Sequence, residues 1–181
     1  MNDDDIQINL DSAISNLLSN EQWLIRNDLN EQSITHKLAL YIADYFPGYD
    51  IDCEYNGNIE SQDGKKRINV LRDELERHNI LRKAELELET EIINRAVYPD
   101  IIIHKRGRND FNLCIIEVKK STSRVRRDYD YMKLRAYTTE YYGNELKYQL
   151  GIFIMFNMRQ KHGYELTIFS NGQEIANRQQ R

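Results

Sequence analysis

Glycine, proline and cysteine are all scarce in this chain, at 8, 2 and 2 of 181 residues. With so little Gly and Pro there is no low-complexity tract, and no internal repeat is visible. Cys53 and Cys114 lack CxxC spacing and each sits in a strand-like run, so both read as reduced core residues of a cytosolic protein. No apolar stretch approaches the ~18 residues of a membrane span. The start, Met1-Asn2-Asp3-Asp4-Asp5, is acidic where a signal peptide is basic. A cytoplasmic location without membrane contact is the expectation. Catalytic signatures are missing too. Gly64-Lys65 lacks the upstream glycine of a phosphate loop, no GxSxG elbow occurs, and His36, His78, His104 and His162 are too scattered for a zinc motif.

Charge is plentiful, at 30% of residues, and its sum of -4 hides a partition. Residues 1–60 hold 12 Asp+Glu against 2 Lys+Arg, whereas residues 61–181 hold 17 against 23. The basic surplus is dense in 119–135, with Lys119, Lys120, Arg124, Arg126, Arg127, Lys133 and Arg135 against Asp128 and Asp130. A polyanionic partner is therefore compatible with an acidic total. The length is that of one domain that can bury its core without a disulfide or structural metal.

The apolar rhythm gives the element order. Residues from Leu10 to Ile25 predict a helix capped by Asp11 or Ser12, and Ile34, Leu38, Ile42 and Tyr45 predict a second that ends at Pro47-Gly48. Glu31 falls on the inward stripe at the first turn of that second helix. Tyr49 to Tyr55 alternates as a strand. The charged stretch from Ser61 to Arg95 predicts one or two surface helices, near Val70–Arg77 and Leu81–Ile93. Ile101-Ile102-Ile103 and Asn112–Val118 predict a buried hairpin turning around Gly107. Ser121 to Ser123 offer caps for a helix over Val125–Tyr142. Gln149–Phe156 predicts a buried strand, Gly163–Phe169 an edge strand, and Asn177–Arg181 a fraying tail. The domain reading is an acidic helical extension over 1–28, a single domain over 29–176 with a charged insertion at about 58–96, and a tail.

Chemistry concentrates at Asp100, Glu117 and Lys119. Alternate residues of a strand share a face, so Glu117 and Lys119 point the same way, and the hairpin returns Asp100 to their level. Two carboxylates and an ammonium on an apolar sheet imply ion pairing or a metal, and hard oxygen donors favour Mg²⁺ or Mn²⁺.

Pro99-Asp100, a 16-residue spacer and Glu117-Val118-Lys119 resemble the PD-(D/E)XK nuclease superfamily. The segment Glu31–Tyr55 and the Asp130, Lys133, Leu134 spacing are similar to its small bacterial members. The resemblance implies an α/β fold with a mixed four- to five-stranded sheet flanked by helices, in the core order α-β-β-β-α-β. It implies that Asp100, Glu117 and the Val118 carbonyl hold the metal ion, that Lys119 orients or activates water, and that Glu31 adds an acidic group. The activity implied is metal-dependent phosphodiester hydrolysis in nucleic acid, most readily as a DNA endonuclease; the alternative is a catalytically inactive module that binds nucleic acid or a protein. Phosphodiester hydrolysis asks for far more than the ~10²–10⁴ of one general acid or base, which a metal can supply. Lys120, Arg124, Arg126, Arg127 and Lys133 are the expected contacts to flanking phosphates. A homodimer, or membership of a defence or repair complex, fits two-strand cleavage.

Overall fold

The computed structural model describes residues 1–159 and 163–180, so His162 and Arg181 lie outside the described residues. The chain is an α/β fold whose six-stranded mixed sheet has helices on both faces. In chain order the elements are α1 (Asp3–Asn20), α2 (Gln22–Arg26), α3 (Glu31–Tyr45), β1 (Asp50–Cys53), β2 (Arg67–Leu71), α4 (Arg72–Arg77), β3 (Ile92–Ala96), β4 (Ile101–His104), β5 (Cys114–Lys120), α5 (Asp128–Tyr137), β6 (Leu150–Phe156), β7 (Tyr164–Ser170) and β8 (Gln173–Gln180). The main sheet runs β1-β4-β5-β6-β7-β8, and β2 with β3 forms a separate pair. Among the described residues only the β5–β6 pairing is parallel, because α5 carries the chain across between them. Among the described residues no helix is long and apolar enough to cross a membrane.

Period-two alternation assigns the two faces. Ile101, Ile103, Cys114, Ile116, Val118, Ile152 and Ile154 pack toward α1 and α3. Ile102, Ile115 and Phe153 pack toward α5 and the β2–β3 pair. Asp100, immediately before β4, continues the second set, as Glu117 and Lys119 continue it in β5. Gly151 lets α5 come close to β6, since a Cβ there would meet the Leu134 carbonyl oxygen at 3.1 Å.

Several expectations are corrected. The first helix begins seven residues before Leu10, because Asn2 caps it reciprocally with Asp5 and three acidic residues fill its first turn. Its stripe Ile6, Leu10, Ala13, Ile14 and Leu17 is fully buried in the same core as α3, so residues 1–28 are built into the domain. In place of the one or two surface helices expected near Val70–Arg77 and Leu81–Ile93, the 61–95 region holds the short α4, a single 3₁₀ turn at Lys83–Glu85 and the strands β2 and β3. Its strand alternation, Ile68 and Val70 opposite Ile93 and Arg95, was masked by an arginine at an inward position. The helix expected over Val125–Tyr142 is shorter, since Thr138 Oγ1 turns back onto the Leu134 carbonyl at 3.0 Å and Tyr142 has φ 60°. Ser121 caps nothing there; its hydroxyl accepts from Met158 N.

The sheet has six strands rather than four or five, because β7 is internal and the expected tail is β8. Asn171 and Gly172 both have positive φ and join Ser170 to Gln173, the type I′ turn for which Asn-Gly is suited. Cys114 is core, but Cys53 is exposed.

The β2–β3 pair is anchored by Arg95, whose Nε donates to Glu85 Oε1 at 2.8 Å and whose guanidinium lies 5.2 Å from the Tyr129 ring on α5. Arg95→Ala would leave Glu85 with an uncompensated, largely buried charge. A loss of about 3–5 kcal/mol in urea unfolding is expected, with the fold of the main sheet retained by circular dichroism.

Candidate active site

Asp100, Glu117, Val118, Lys119 and Glu31 line one open cavity of about 490 Å³, together with Thr35, His36, Cys53, Asp130 and Lys133. Each element contributes for a local reason. The β4–β5 ladder ends at Ile101–Ile116, which frees the backbone of Val118 on that side. Asp100 Oδ2 takes the Val118 N–H at 2.7 Å. The Val118 carbonyl lies on the same side of the strand as its N–H, beyond the end of the ladder. Asn30 caps α3 by accepting from Ser33 N at 2.8 Å, which sets Glu31 in the first turn. Glu31 Oε2 then accepts from Lys120 N at 3.0 Å and joins the helix on one face of the sheet to a strand end.

At the cavity floor the charges form a chain. Lys133 Nζ lies 2.5 Å from Glu117 Oε2 and 2.9 Å from Asp130 Oδ1, and Lys119 Nζ lies 2.9 Å from Asp130 Oδ2. Tyr137 OH approaches Glu117 Oε1 at 3.4 Å. Lys119 thus pairs with Asp130, not with either motif carboxylate. Three residues of α5 at spacings of three and four, Asp130, Lys133 and Tyr137, supply the wall facing Glu117.

Burial dominates the proton affinities. It pushes the Glu117 carboxyl up to about 8, with the Lys133 ammonium opposing and the Asp100 and Asp130 charges adding. It raises Asp100 above the usual carboxylate range against the Val118 N–H and Lys133. Burial works against the Lys133 ammonium as well, but Glu117 and Asp130 outweigh it and hold that pKa above the ordinary lysine value. Both carboxyls are therefore held toward their protonated forms, chiefly by desolvation and further by the neighbouring carboxylates.

Two of the residues expected at phosphates sit elsewhere. Lys133 is buried in the cavity wall because α5 turns it inward against Glu117. Lys120 points to Asp28, with Nζ 2.9 Å from Asp28 Oδ1, and Arg159 reaches the same carboxylate at 3.3 Å. A hydrogen bond from Thr122 and the Lys120 contact lower the Asp28 pKa to about 2. Arg124, Arg126 and Arg127 are exposed in the loop between β5 and α5; Arg126 pairs with Asp128 at 2.7 Å and Arg127 lies 5.5 Å from the Tyr131 ring. The sequence places Asp130 beside Lys133 in the spacing that resembles small bacterial members, but it gives a role in the site to neither Asp130 nor Tyr137. The available signal was polar residues recurring on the face of α5 that carries buried Leu134.

Among the described residues no three His, Cys, Asp or Glu side chains gather tightly enough to hold a metal ion by themselves. No protein family, curated protein or solved structure matches the chain.

The raised carboxyls give a signed pH dependence. Glu117 keeps its proton to about 8 when folded and loses it near the ordinary 4.5 when unfolded. Between those values the native state binds more protons than the unfolded state, so stability falls as pH rises, by at most about 1.4 kcal/mol per unit from this group. Asp100 adds a contribution of the same sign. Urea unfolding at pH 5 and pH 8 is expected to show Glu117→Gln gaining on the wild type as pH rises; a parallel offset at both would show that Glu117 is ionised throughout.

Proposed function

We propose that the chain is a metal-dependent nuclease with a PD-(D/E)XK core, acting on DNA as an endonuclease in the cytoplasm. The observation that carries this reading is the convergence of Asp100, Glu117 and Lys119, from two adjacent strands, with Glu31 from α3 in one open cavity. The element order supports it: α3, β1, β4, β5, α5 and β6 follow as helix, three antiparallel strands, helix and parallel strand. The two thiols are free, which suits a reducing compartment.

The donor set fits a hard divalent cation. Asp100 and Glu117 are desolvated carboxyl groups whose protons a divalent cation would displace, and the Val118 carbonyl lies beyond its ladder. Mg²⁺ is commonly held by one or two carboxylates while retaining several waters, so a complete protein cage is not required. Mn²⁺ accepts the same oxygens. Such an ion supplies Lewis-acid polarisation of the phosphate and a nucleophilic hydroxide near neutral pH.

The chain's own residues do the rest. Asp100 and Glu117 hold the ion and Glu31 adds a carboxylate at the rim. Lys119, fixed by Asp130, orients the attacking water and offsets charge growing on the phosphoryl oxygens. Lys133 steadies Glu117 against repulsion from Asp100 and Asp130. Arg124, Arg126 and Arg127, exposed on the loop that follows β5, grip flanking phosphates.

A second reading rests on the same ion chain. Glu117, Lys133, Asp130 and Lys119 pair in sequence, which suits a silent module that binds nucleic acid or a protein and keeps the cluster for stability.

The two readings separate in one experiment. Purified chain incubated with plasmid DNA and with RNA, in Mg²⁺ or Mn²⁺ and in chelator, is expected to nick DNA only with metal. Lys119→Ala should lower the rate by about 10²–10⁴-fold, and Asp100→Ala should abolish it. Cleavage that persists unchanged in both variants removes the assignment, and binding without metal-dependent cleavage favours the silent module.

A further inference from the structure

The β2–β3 pair has one covered edge and one open edge. On β2, Asn144 imitates a third strand: its Oδ1 accepts from Asn69 N at 2.8 Å and its Nδ2 donates to the Asn69 carbonyl at 3.0 Å. Among the described residues nothing comparable covers β3. Val97 N bonds the Lys66 carbonyl at 3.1 Å and Arg72 N bonds the Glu91 carbonyl at 2.8 Å. The alternation between these bonds turns Ile93 and Arg95 toward β2, and turns the N–H and C=O groups of Ile92, Asn94 and Ala96 outward. Among the described residues, those of Asn94 and Ala96 have no hydrogen-bond partner, and the Ile92 carbonyl takes only the Thr90 hydroxyl at 3.0 Å.

An unpaired row of backbone groups is a template for another strand, and natural edges are normally blunted with lysine, proline or a bulge. Ile92–Ala96 contains no lysine or proline, and its register with β2 has no shift. It begins instead with the exposed Ile92, and exposed Leu86, Leu88 and Tyr98 lie before and after it.

We propose that this edge joins two copies of the chain, β3 pairing antiparallel with β3 of a second copy about a two-fold axis through Asn94. The outward-facing row is self-complementary in that register. Asn94 meets its own counterpart and Ile92 meets Ala96, each pair exchanging N–H and C=O. In a chain with 30% charged residues, none of these three positions is charged, so no like charges meet across the axis. The side chains agree. Asn94 Nδ2 donates to Asn69 Oδ1 at 2.6 Å and Asn94 Oδ1 accepts from Arg67 Nε. The axis extends that pair into an amide row across four strands. A two-stranded sheet is marginal alone, and four continuous strands are not. A second copy brings the same uncharged row and the same Asn94 to the axis, which is what the amide row requires of its partner. The inference is independent of the chemistry at Asp100 and Glu117.

Sedimentation equilibrium of the full chain over a wide dilution series is expected to show a monomer–dimer equilibrium. Asn94→Lys opposes two ammonium groups on the axis and should weaken the dimer roughly tenfold or more. Asn94 also bonds Arg67 and Asn69 within its own chain, so Ile92→Lys, an exposed position with no such bonds, serves as the second variant. Both should keep the wild-type circular dichroism. A monomer at every concentration, or a dimer indifferent to both substitutions, overturns the proposal. So does a monomer that instead binds a peptide of residues 90–98.

Discussion

The Glu117 carboxylate is almost fully buried between β5 and α5, and much of the molecule's arrangement answers its desolvation. An isolated buried carboxylate costs several kcal/mol unless it is neutralised or paired. The chain does some of both. Lys133 stands against it, Asp130 stands against Lys133, and Lys119 stands against Asp130. This fixes the rotation of α5 about its axis, because Asp130, Lys133 and Tyr137 must face the strand together. The close approach at Gly151 then sets how near the helix lies to β6. From α5 the constraint passes outward: Tyr129 lies between the Lys133 ammonium at 5.4 Å and the Arg95 guanidinium at 5.2 Å, and Arg95 anchors β3. A polar site and the packing of the insertion therefore share one helix face.

The opposite signs of the two parts of the chain find a use in the fold. Carboxylates of the acidic first sixty residues reach basic residues far along the sequence. Asp11 pairs with Arg178 at 2.9 Å, Asp28 with Lys120 and Arg159, and Asp52 with Arg106. The partition that reads as a clue to an outside partner is in large part complementarity between segments that meet only in three dimensions. Pairs of this kind, part-buried at the carboxylate, disfavour registers that would bring like charges together. What remains of the basic surplus near the cavity is the short loop with Arg124, Arg126 and Arg127, and Lys120 is withdrawn from it.

Legibility followed the range of the interaction. The strands at Ile101–Ile103 and Asn112–Val118 and the stripe of α3 were readable because hydrophobic periodicity is local. So was the sharing of a face by Glu117 and Lys119, which needs only the pleat. The N-terminus of α1 is set by the Asn2 and Asp5 cap, which apolar periodicity does not register. β2 and β3 are hidden because Arg95, an inward residue, looks like a surface one until its partner Glu85 is known. The Asn171-Gly172 turn is a local signal, and β8 follows from it. Lys133 shows the deeper limit. At spacing of three from Asp130 it has the form of a surface helix pair, and only the docking of α5 onto β5 reveals that both face inward.

Burying Glu117 near Asp100 sets a tension that bears on function. If stability alone shaped this site, apolar residues of similar volume at Glu117 and Lys133 would serve at least as well, since buried ion pairs often break even or worse against hydrophobic replacements. The arrangement instead leaves Asp100 and Glu117 with raised proton affinity, set at the floor of an open cavity. Lys133 opposes that rise at Glu117 and Lys119 is engaged by Asp130, so two desolvated carboxyls stand together beside a strand end. A purely structural cluster gains nothing from carboxyls held toward their protonated forms beside an opening. A site that takes up a cation would gain from them, because the ion replaces the proton that burial favours.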